Sequence, residues 1–160
     1  MNYRSVGDLS ALISKHASKV SQDVDLIVAI PRSGVLVASL ISLKLNLPLT
    51  DLYAFLRNDD LKRGNTRTYK HDALEKPQDA KHILLVDDSI ASGNSMREAV
   101  AKVKEVYSGA VVTMVAFAQH QNIGEVDVYL DIVEQPRVFE WNHSSLSGYR
   151  WRTVRRPYAG

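Results

Sequence analysis

The sequence has no cysteine among its 160 residues. This absence excludes disulfide bonds, a thiolate nucleophile and zinc sites that depend on cysteine. It also has no apolar run close to the ~18–20 residues that a membrane-spanning helix needs, and its first residues lack the apolar stretch of a signal peptide. We therefore expect a cytoplasmic protein with no membrane span.

A large excess of one charge is absent as well. The chain has 20 Lys and Arg residues against 18 Asp and Glu residues, a net charge of +2. Proteins that bind nucleic acid usually have a strongly basic face, so we expect no nucleic-acid partner. The clearest basic cluster is the tail 149–160, with four arginines. Such a tail is usually only solvated, and peripheral contact with a membrane surface is the alternative.

Hydrophobic patterning divides the chain into alternating helices and strands. Apolar residues recur every three or four positions over about 5–21, and 35–46 is long and apolar on most of its surface, so both are predicted helices. A further helix follows residue 95, with Met96, Val100 and Val103 on one face. Short apolar runs predict strands at 24–30, 49–56, 82–87, 111–117 and 126–133. This alternation predicts an α/β fold, with an open, mostly parallel sheet covered by helices on both faces.

Two segments interrupt this alternation. Residues 57–81 are mostly polar and charged, and so long an excursion inside a compact domain is usually an active-site lid or a disordered loop. Residues 134–160 are irregular and rich in aromatic side chains. We predict a single domain, residues 1–160, with a core at about 5–133, a mobile lid at about 57–81 and a small C-terminal segment at about 134–160.

The stretch 83-ILLVDDSIASGNSM-96 places two acids at the end of a buried strand. The loop 91–95 then leads into a helix, whose first amides are unpaired and attract anions. Asp87 and Asp88 would repel a phosphate at the same point, but they can accept hydrogen bonds from sugar hydroxyls or hold a divalent cation through water. The sequence therefore predicts a sugar-phosphate site. A helix cap by Asp88 or Ser92 is the alternative, and it explains one residue only.

The turn 31-PRSG-34 follows the first predicted core strand. Arg32, Ser33 and Gly34 offer a guanidinium, a hydroxyl and a close backbone approach, which suit a second anion. An ordinary turn is an equal alternative for this sequence taken alone. Because ligands bind beyond the carboxyl ends of parallel strands, we expect this turn to lie near the 87–95 loop.

The stretch 83–96 closely resembles the phosphoribosyl-pyrophosphate (PRPP) binding motif of type I phosphoribosyltransferases. That motif is an apolar strand, two acids, two variable residues and a small Ala-Thr-Gly-Gly-Thr-like loop. Serine replaces threonine at Ser92 and Ser95, which keeps both hydroxyls. Asn94 stands where glycine is common, so we expect a strained or left-handed backbone there. The resemblance covers roughly residues 5–133.

The resemblance implies a role for each matching residue. Asp87 and Asp88 would hold the ribose hydroxyls and Mg²⁺, the metal mostly through those hydroxyls or water. Arg32, Ser33 and Gly34 match the pyrophosphate loop, which often contains a non-proline cis peptide. The 5-phosphate would lie on Ala91, Ser92, Gly93, Asn94 and Ser95. Basic lid residues would contact pyrophosphate: Lys62, Arg63, Arg67, Lys70 and His71 are candidates, with Arg63 and Lys70 predicted to be catalytic together with the two acids.

The family implies a Mg²⁺-dependent transfer of 5-phosphoribose from PRPP to an acceptor, with release of pyrophosphate and inversion at C1. Charge develops on the leaving group, and basic side chains stabilise it. Asp88 is the more plausible proton acceptor, although orienting the ribose is enough to explain it. The alternative is a non-catalytic or weakly catalytic regulator that binds PRPP or a nucleotide.

In this family a variable hood reads the acceptor, and here it corresponds to 134–160. Aromatic residues could stack on the acceptor and polar ones could hydrogen-bond to it. The candidates are Phe139, Glu140, Trp141, Asn142 and His143. The alternative is that Phe139 and Trp141 close a small hood core and His143 is an exposed bystander.

The run 139–142 faintly resembles phosphoribosyltransferases of bacterial surface-polysaccharide loci. The acceptor is then an orotate-like nucleobase or the hydroxyl of a glycan or lipid-linked sugar. A glycan or lipid-linked acceptor would also imply a partner phosphatase. The family also leaves room for a homodimer.

Overall fold

The centre of the molecule is a five-stranded parallel sheet. The computed structural model describes residues 2–62 and 74–142. The sheet has the order β3-β2-β4-β5-β6. Its strands are β2 (Leu26–Ala29), β3 (Leu49–Asp51), β4 (His82–Ser89), β5 (Ala110–Ala118) and β6 (Val128–Ile132). The predicted α/β class with a parallel sheet is confirmed.

Helices cover both faces of this sheet. They are α1 (Val6–His16), α2 (Ser33–Leu45), α3 (Leu52–Arg57) and α4 (Asn94–Val106). In β2, Ile27 and Ala29 belong to the core layer that contains α1 and α2, whereas Leu26 and Val28 belong to the layer that contains α3 and α4. Successive side chains of a strand point to opposite faces. An unbroken apolar run such as β2 therefore requires a helical layer on each side.

The predicted strand 49–56 is wrong in its second half, where α3 begins. The side chain of Asp51 accepts hydrogen bonds from the amides of Tyr53 at 2.9 Å and Ala54 at 3.1 Å. A carboxylate in this position satisfies two of the unpaired amides of the first helical turn. Asp51 therefore ends β3, and the apolar residues after it face the core from a helix, with Leu52 and Phe55 buried.

The two ends of the described chain meet in a second, two-stranded parallel sheet. It pairs β1 (Asn2–Arg4) with β7 (Arg137–Phe139). The predicted capping box of α1 is present, since Ser5 and Asp8 exchange hydrogen bonds of 3.0 and 2.8 Å. Just after β7, a carboxylate oxygen of Glu140 accepts a hydrogen bond of 2.6 Å from the amide of Val6. The C-terminal segment is therefore attached to the beginning of α1.

Gly34 permits a close approach between α2 and the sheet. A Cβ atom at this position would lie 2.7 Å from the carbonyl oxygen of Val86 and 3.1 Å from Cα of Asp87. Backbone atoms cannot rotate away as a flexible side chain can, so α2 would have to shift outward.

We expect Gly34→Ala to lower the free energy of unfolding by about 1–3 kcal/mol, because it overpacks a buried contact. Chemical denaturation measures this change. Gly124→Ala is the matched control, since nothing lies within 4 Å of its added Cβ. Equal denaturation midpoints for the two variants would show that the close packing of Gly34 against β4 does not limit the size of this residue.

Candidate functional site

A cleft of about 280 Å³ lies beyond the carboxyl ends of β2 and β4. The structure brings together here the turn after β2 and the loop after β4, as the parallel sheet predicts. Its lining residues are Pro31, Arg32, Ser33, Asp87, Asp88, Ser89, Ile90, Ala91, Ser92, Gly93, Ser95, Met96 and Val115. Two loops from distant parts of the sequence thus share one concave surface.

The loop 91–95 leads directly into α4, and its backbone amides are available for an anion. Within residues 2–62 and 74–142, no group accepts a hydrogen bond from the amides of Ala91, Ser92, Gly93 or Ser95. Unpaired amides at a helix N-terminus attract negative charge. The hydroxyl of Ser92 accepts a hydrogen bond of 3.3 Å from the amide of Asn94.

The left-handed residue of this loop is Gly93, with φ of 83°. The expectation of a left-handed or strained Asn94 is wrong, because Asn94 is the first residue of α4 and has no positive φ. A Cβ at Gly93 would lie 2.8 Å from Nη1 of Arg97. The left-handed backbone and the limited space for a side chain therefore occur together at Gly93, one position before Asn94, where the sequence had placed them.

Arg97 holds the outer side of this loop, and sequence reasoning missed it. Its Nη2 donates to the carbonyl of Ser92 at 3.1 Å and to Oδ1 of Asn94 at 2.6 Å. Its Nη1 donates to Oε2 of Glu125 at 2.6 Å. The position of Arg97 three residues after Asn94 is a weak sequence signal. Glu125 comes from a distant segment, so no local pattern could identify the pair.

Two further side chains bind the carbonyls at the beginning of the loop. The buried Asn122 donates to the carbonyl of Ala91 at 2.8 Å, and Arg137 donates to the carbonyl of Ile90 at 2.7 Å. With the Arg97 contact, the carbonyls of three consecutive residues, 90–92, are all satisfied by side chains. The backbone carbonyls of residues 90–92 are therefore bound by side chains of the protein, while the amides of Ala91, Ser92, Gly93 and Ser95 remain available to a ligand.

Asp87 is a half-buried acid at the edge of the cleft. Burial, followed by the negative charge of Asp88, raises the pKa of Asp87 to about 7. Its Oδ1 accepts a hydrogen bond of 2.8 Å from the amide of Asp88, which opposes the rise only in part. Asp87 can therefore gain or lose a proton near neutral pH.

Asp88 is only 7% exposed, and the C-terminal segment supplies its partner. The indole Nε1 of Trp141 donates to its Oδ2 at 2.8 Å, while the Ser89 hydroxyl lies 3.5 Å from its Oδ1. The charge of Asp88 also opposes the lowering of the Arg137 pKa that burial causes. The alternative that Asp88 caps α4 is not seen, because its carboxylate oxygens accept from Ser89 and Trp141, whereas the hydroxyl of Ser92 accepts the first amide of that helix.

Phe139 lies in the core rather than in the cleft. It is 3% exposed, and its ring stacks on those of Phe117 and Trp141, each with a centroid distance of 5.0 Å. This burial fits the alternative in which Phe139 closes the hood core. The side-chain carboxylate of Glu140 accepts from the backbone amide of Val6. The backbone amide of Asn142 donates to the Phe139 carbonyl at 3.0 Å. His143 lies outside the described residues.

The turn after β2 contains a cis peptide bond between Pro31 and Arg32, as the family resemblance implies. Arg32 is exposed, and α2 begins at Ser33. A Cβ atom at Gly34 would lie 3.2 Å from Oδ1 of Asp87, so the residues after this turn pack closely against that acid.

The base of the predicted lid is closed by hydrogen bonds. The Leu61 amide donates to the Glu75 carbonyl at 2.8 Å, and the Gln78 amide donates to the Asn58 side chain at 3.0 Å. Lys62 is exposed at this base. Arg63, Arg67, Lys70 and His71 lie outside the described residues. Their assignment to pyrophosphate stays a prediction.

In the described part of the chain, no helix has the length and apolar character to cross a membrane. Likewise, no cluster of three or more His, Cys, Asp or Glu side chains suited to a metal ion occurs within the described ranges.

Comparison with known proteins supports the relationship suggested by the motif. The phosphoribosyl transferase domain model matches residues 3–147. The xanthine-guanine-hypoxanthine phosphoribosyltransferase of Helicobacter pylori is 19% identical, with 90% of this chain and 93% of that chain covered and a TM-score of 0.61. A purine phosphoribosyltransferase from Pyrococcus horikoshii is 18% identical, with coverages of 88% and 93% and a TM-score of 0.63.

Orotate phosphoribosyltransferase from Aeropyrum pernix is 14% identical, with 79% of this chain and 70% of that chain covered and a TM-score of 0.52. At these identities the similarity to solved structures shows the fold alone. No curated protein is similar enough in sequence to match the chain.

The raised pKa of Asp87 predicts a pH-dependent stability. Between about pH 4 and about pH 7 the folded protein holds a proton on Asp87 that the unfolded chain has lost, so the free energy of unfolding falls as pH rises. Asp87→Asn removes this penalty, which is on the order of a few kcal/mol above neutrality. We expect its gain in Tm over the wild type to be larger at about pH 8 than at about pH 5.

Thermal unfolding at both pH values measures this difference. Asp23→Asn is the control, because Asp23 is exposed and distant from the cleft in sequence. If the gain in Tm of Asp87→Asn over the wild type is the same at both pH values, the pKa of Asp87 is not raised in the folded protein.

Proposed function

Since the chain belongs to the phosphoribosyl transferase domain family, we propose that it transfers 5-phosphoribose from PRPP to an acceptor, releasing pyrophosphate with inversion at C1. The observation that carries the proposal is the cleft itself. One concave surface combines Asp87 and Asp88 with four loop residues whose amides are unpaired within the described part of the chain, Ala91, Ser92, Gly93 and Ser95. These are complementary to the phosphate and to the vicinal hydroxyls of one ligand.

The 5-phosphate is assigned to the loop 91–95. Its backbone amides and the hydroxyls of Ser92 and Ser95 supply hydrogen-bond donors, and the N-terminus of α4 adds a favourable dipole. Arg97 contacts the Ser92 carbonyl from the other side and adds positive charge to the same segment. This arrangement holds the loop before the ligand arrives, which lowers the entropy that binding must overcome.

The ribose hydroxyls are assigned to Asp87 and Asp88. A carboxylate can accept two hydrogen bonds from neighbouring hydroxyls, and both acids line the cleft next to the loop. Magnesium in such sites binds one or two carboxylates plus substrate phosphates rather than a complete protein cage. The pair of acids fits that donor set, and the bound ion would neutralise charge on the pyrophosphate.

Pyrophosphate is assigned to the turn that contains Arg32 and Ser33. The two residues line the same cleft as the acids and the loop proposed to hold the 5-phosphate. Guanidinium and amide donors in this turn stabilise the charge that grows as the bond to C1 breaks. Arg63 and Lys70 of the lid are proposed to complete this environment when the lid closes and excludes water.

Proton uptake from the acceptor is proposed for Asp88, although orienting the ribose is enough to explain this residue. Asp88 also accepts the indole N–H of Trp141 through Oδ2. Asp87 is proposed to orient the ribose beside it.

We propose a nucleobase as the first acceptor class to test and the hydroxyl of a glycan or lipid-linked sugar as the second. The polar atoms of the hood segment, such as the Asn142 side chain, would recognise either. A partner phosphatase is part of the second proposal only. A regulator that binds PRPP or a nucleotide without turnover is the alternative function, and the assays below separate it from an enzyme.

Calorimetric titration of PRPP with Mg²⁺ tests the donor site. We expect binding to the wild type that requires Mg²⁺ and is lost in Asp87→Asn/Asp88→Asn, because the ribose loses both anionic acceptors. Asp23→Asn should bind as the wild type does. Release of pyrophosphate with purines, orotate or sugar hydroxyls then identifies an enzyme, whereas binding without any turnover would favour the regulator. No wild-type binding would refute the proposal.

Arg97→Gln tests the loop separately from the acids. We expect PRPP affinity to fall about tenfold or more, because the loop loses charge-assisted hydrogen bonds that fix it. Lys102→Gln is the matched control, since it removes a positive charge from an exposed position of the same helix. If both variants lose affinity equally, the effect is general electrostatics and the role of Arg97 is wrong.

A further inference from the structure

Asp88 and Trp141 form a contact that links the donor cleft to the C-terminal segment. The two residues are 53 positions apart, and the indole Nε1 donates to Oδ2 of Asp88 at 2.8 Å. Asp88 is 7% exposed, so little water remains to solvate its charge. A buried carboxylate requires hydrogen-bond donors, and a fixed donor also fixes its orientation.

The indole itself is held in place by an aromatic stack. The ring of Trp141 lies parallel to that of Phe139, with an interplanar angle of 5° and a centroid distance of 5.0 Å. Phe139 stacks in turn on Phe117, which is fully buried in β5. Phe117 pairs in register with Ser89 of β4, next to Asp88. The donor and its acceptor are thus anchored to adjacent strands of the same sheet.

The same segment also contacts the beginning of the phosphate loop. Arg137, two residues before Phe139, donates to the Ile90 carbonyl at 2.7 Å, and its guanidinium lies 5.4 Å from the Phe139 ring centroid. Residues 137–141 therefore touch both the acid and the loop that the proposed function assigns to one ligand. A segment that only bound the acceptor would not need to contact the residues proposed to bind PRPP.

We propose that Trp141 is a positioning residue for the ribose of PRPP. Its indole N–H occupies Oδ2 of Asp88 and orients the carboxylate so that Oδ1 is directed to the ribose hydroxyls. The effect of Trp141 on the reaction passes through Asp88. This inference rests on the proposed function. It differs from the earlier expectation that Trp141 stacks on the acceptor, since that role would leave PRPP binding unchanged when no acceptor is present.

The test is a double-mutant cycle on PRPP affinity, measured by calorimetry with Mg²⁺ and no acceptor. Trp141→Phe keeps an aromatic ring in the stack and removes only the N–H donor. We expect the Kd for PRPP to rise about tenfold, the effect typical of losing a hydrogen bond to a charged group. In the Asp88→Asn background, Trp141→Phe should change the Kd little further, because residues that act as one unit are not additive.

Tyr107→Phe is the matched control. It also removes one hydrogen bond from a buried aromatic side chain, that of the Tyr107 hydroxyl to the Ala80 carbonyl at 2.7 Å, outside the cleft. We expect it to lower stability without changing the Kd. A Trp141→Phe protein that binds PRPP as tightly as the wild type would overturn the inference. So would an equal loss in the Asp88→Asn background.

A second readout covers the case in which Trp141→Phe does not fold. The chain has two tryptophans, so a Trp151→Phe protein shows a single indole N–H resonance in a ¹⁵N NMR spectrum. We expect Asp88→Asn and saturating PRPP with Mg²⁺ each to shift this resonance, and Asp23→Asn to leave it unchanged. A resonance that ignores both changes overturns the inference. Wild-type protein that binds no PRPP would instead refute the proposed function, and the positioning role with it.

Discussion

The close contact between the beginning of α2 and the end of β4 is the constraint on which the site depends. Gly34 lies directly over the backbone of Val86 and Asp87, where no larger residue fits. The strands β2 and β4 are paired in register from Leu26 with Ile83 to Ala29 with Val86, and β4 continues past the end of β2 to Ser89. The turn after β2 and the acids in the last part of β4 therefore open into a single cleft.

Among the described residues, the loop after β4 combines bound backbone carbonyls with unpaired backbone amides. Arg97, Asn122 and Arg137 bind three consecutive carbonyls from within the fold. These side-chain donors satisfy the carbonyls whether or not a ligand is present. Once they are satisfied, the amides of the same loop are left for the ligand. The unpaired amides therefore result from two features: the carbonyls of the loop are bound by side chains, and Gly93 adopts the left-handed backbone that the turn requires.

The acids illustrate the conflict between stability and function. Two neighbouring carboxylates in a partly buried place raise the free energy of the folded state, and this is visible in the pKa of about 7 for Asp87. Asp88 accepts a hydrogen bond from the indole of Trp141, and its charge interacts favourably with that of Arg137. The raised pKa of Asp87 costs stability above neutral pH, and shifts of this kind are frequent at functional sites.

The sequence by itself determined the fold class and most helices and strands, and it pointed to the stretch 83–96, part of which lines the cleft. These are local signals, because periodicity, capping and a contiguous motif are readable along the chain. It missed the helix after Asp51 because an apolar run does not distinguish a strand from a helix until the cap forms. Only the tertiary structure decided the partners of the site. The pairing of β1 with β7, the bond from Trp141 to Asp88 and the contact of Arg97 with Glu125 join residues far apart in the chain. Contacts of this kind depend on how the elements pack in space, so no spacing along the sequence encodes them.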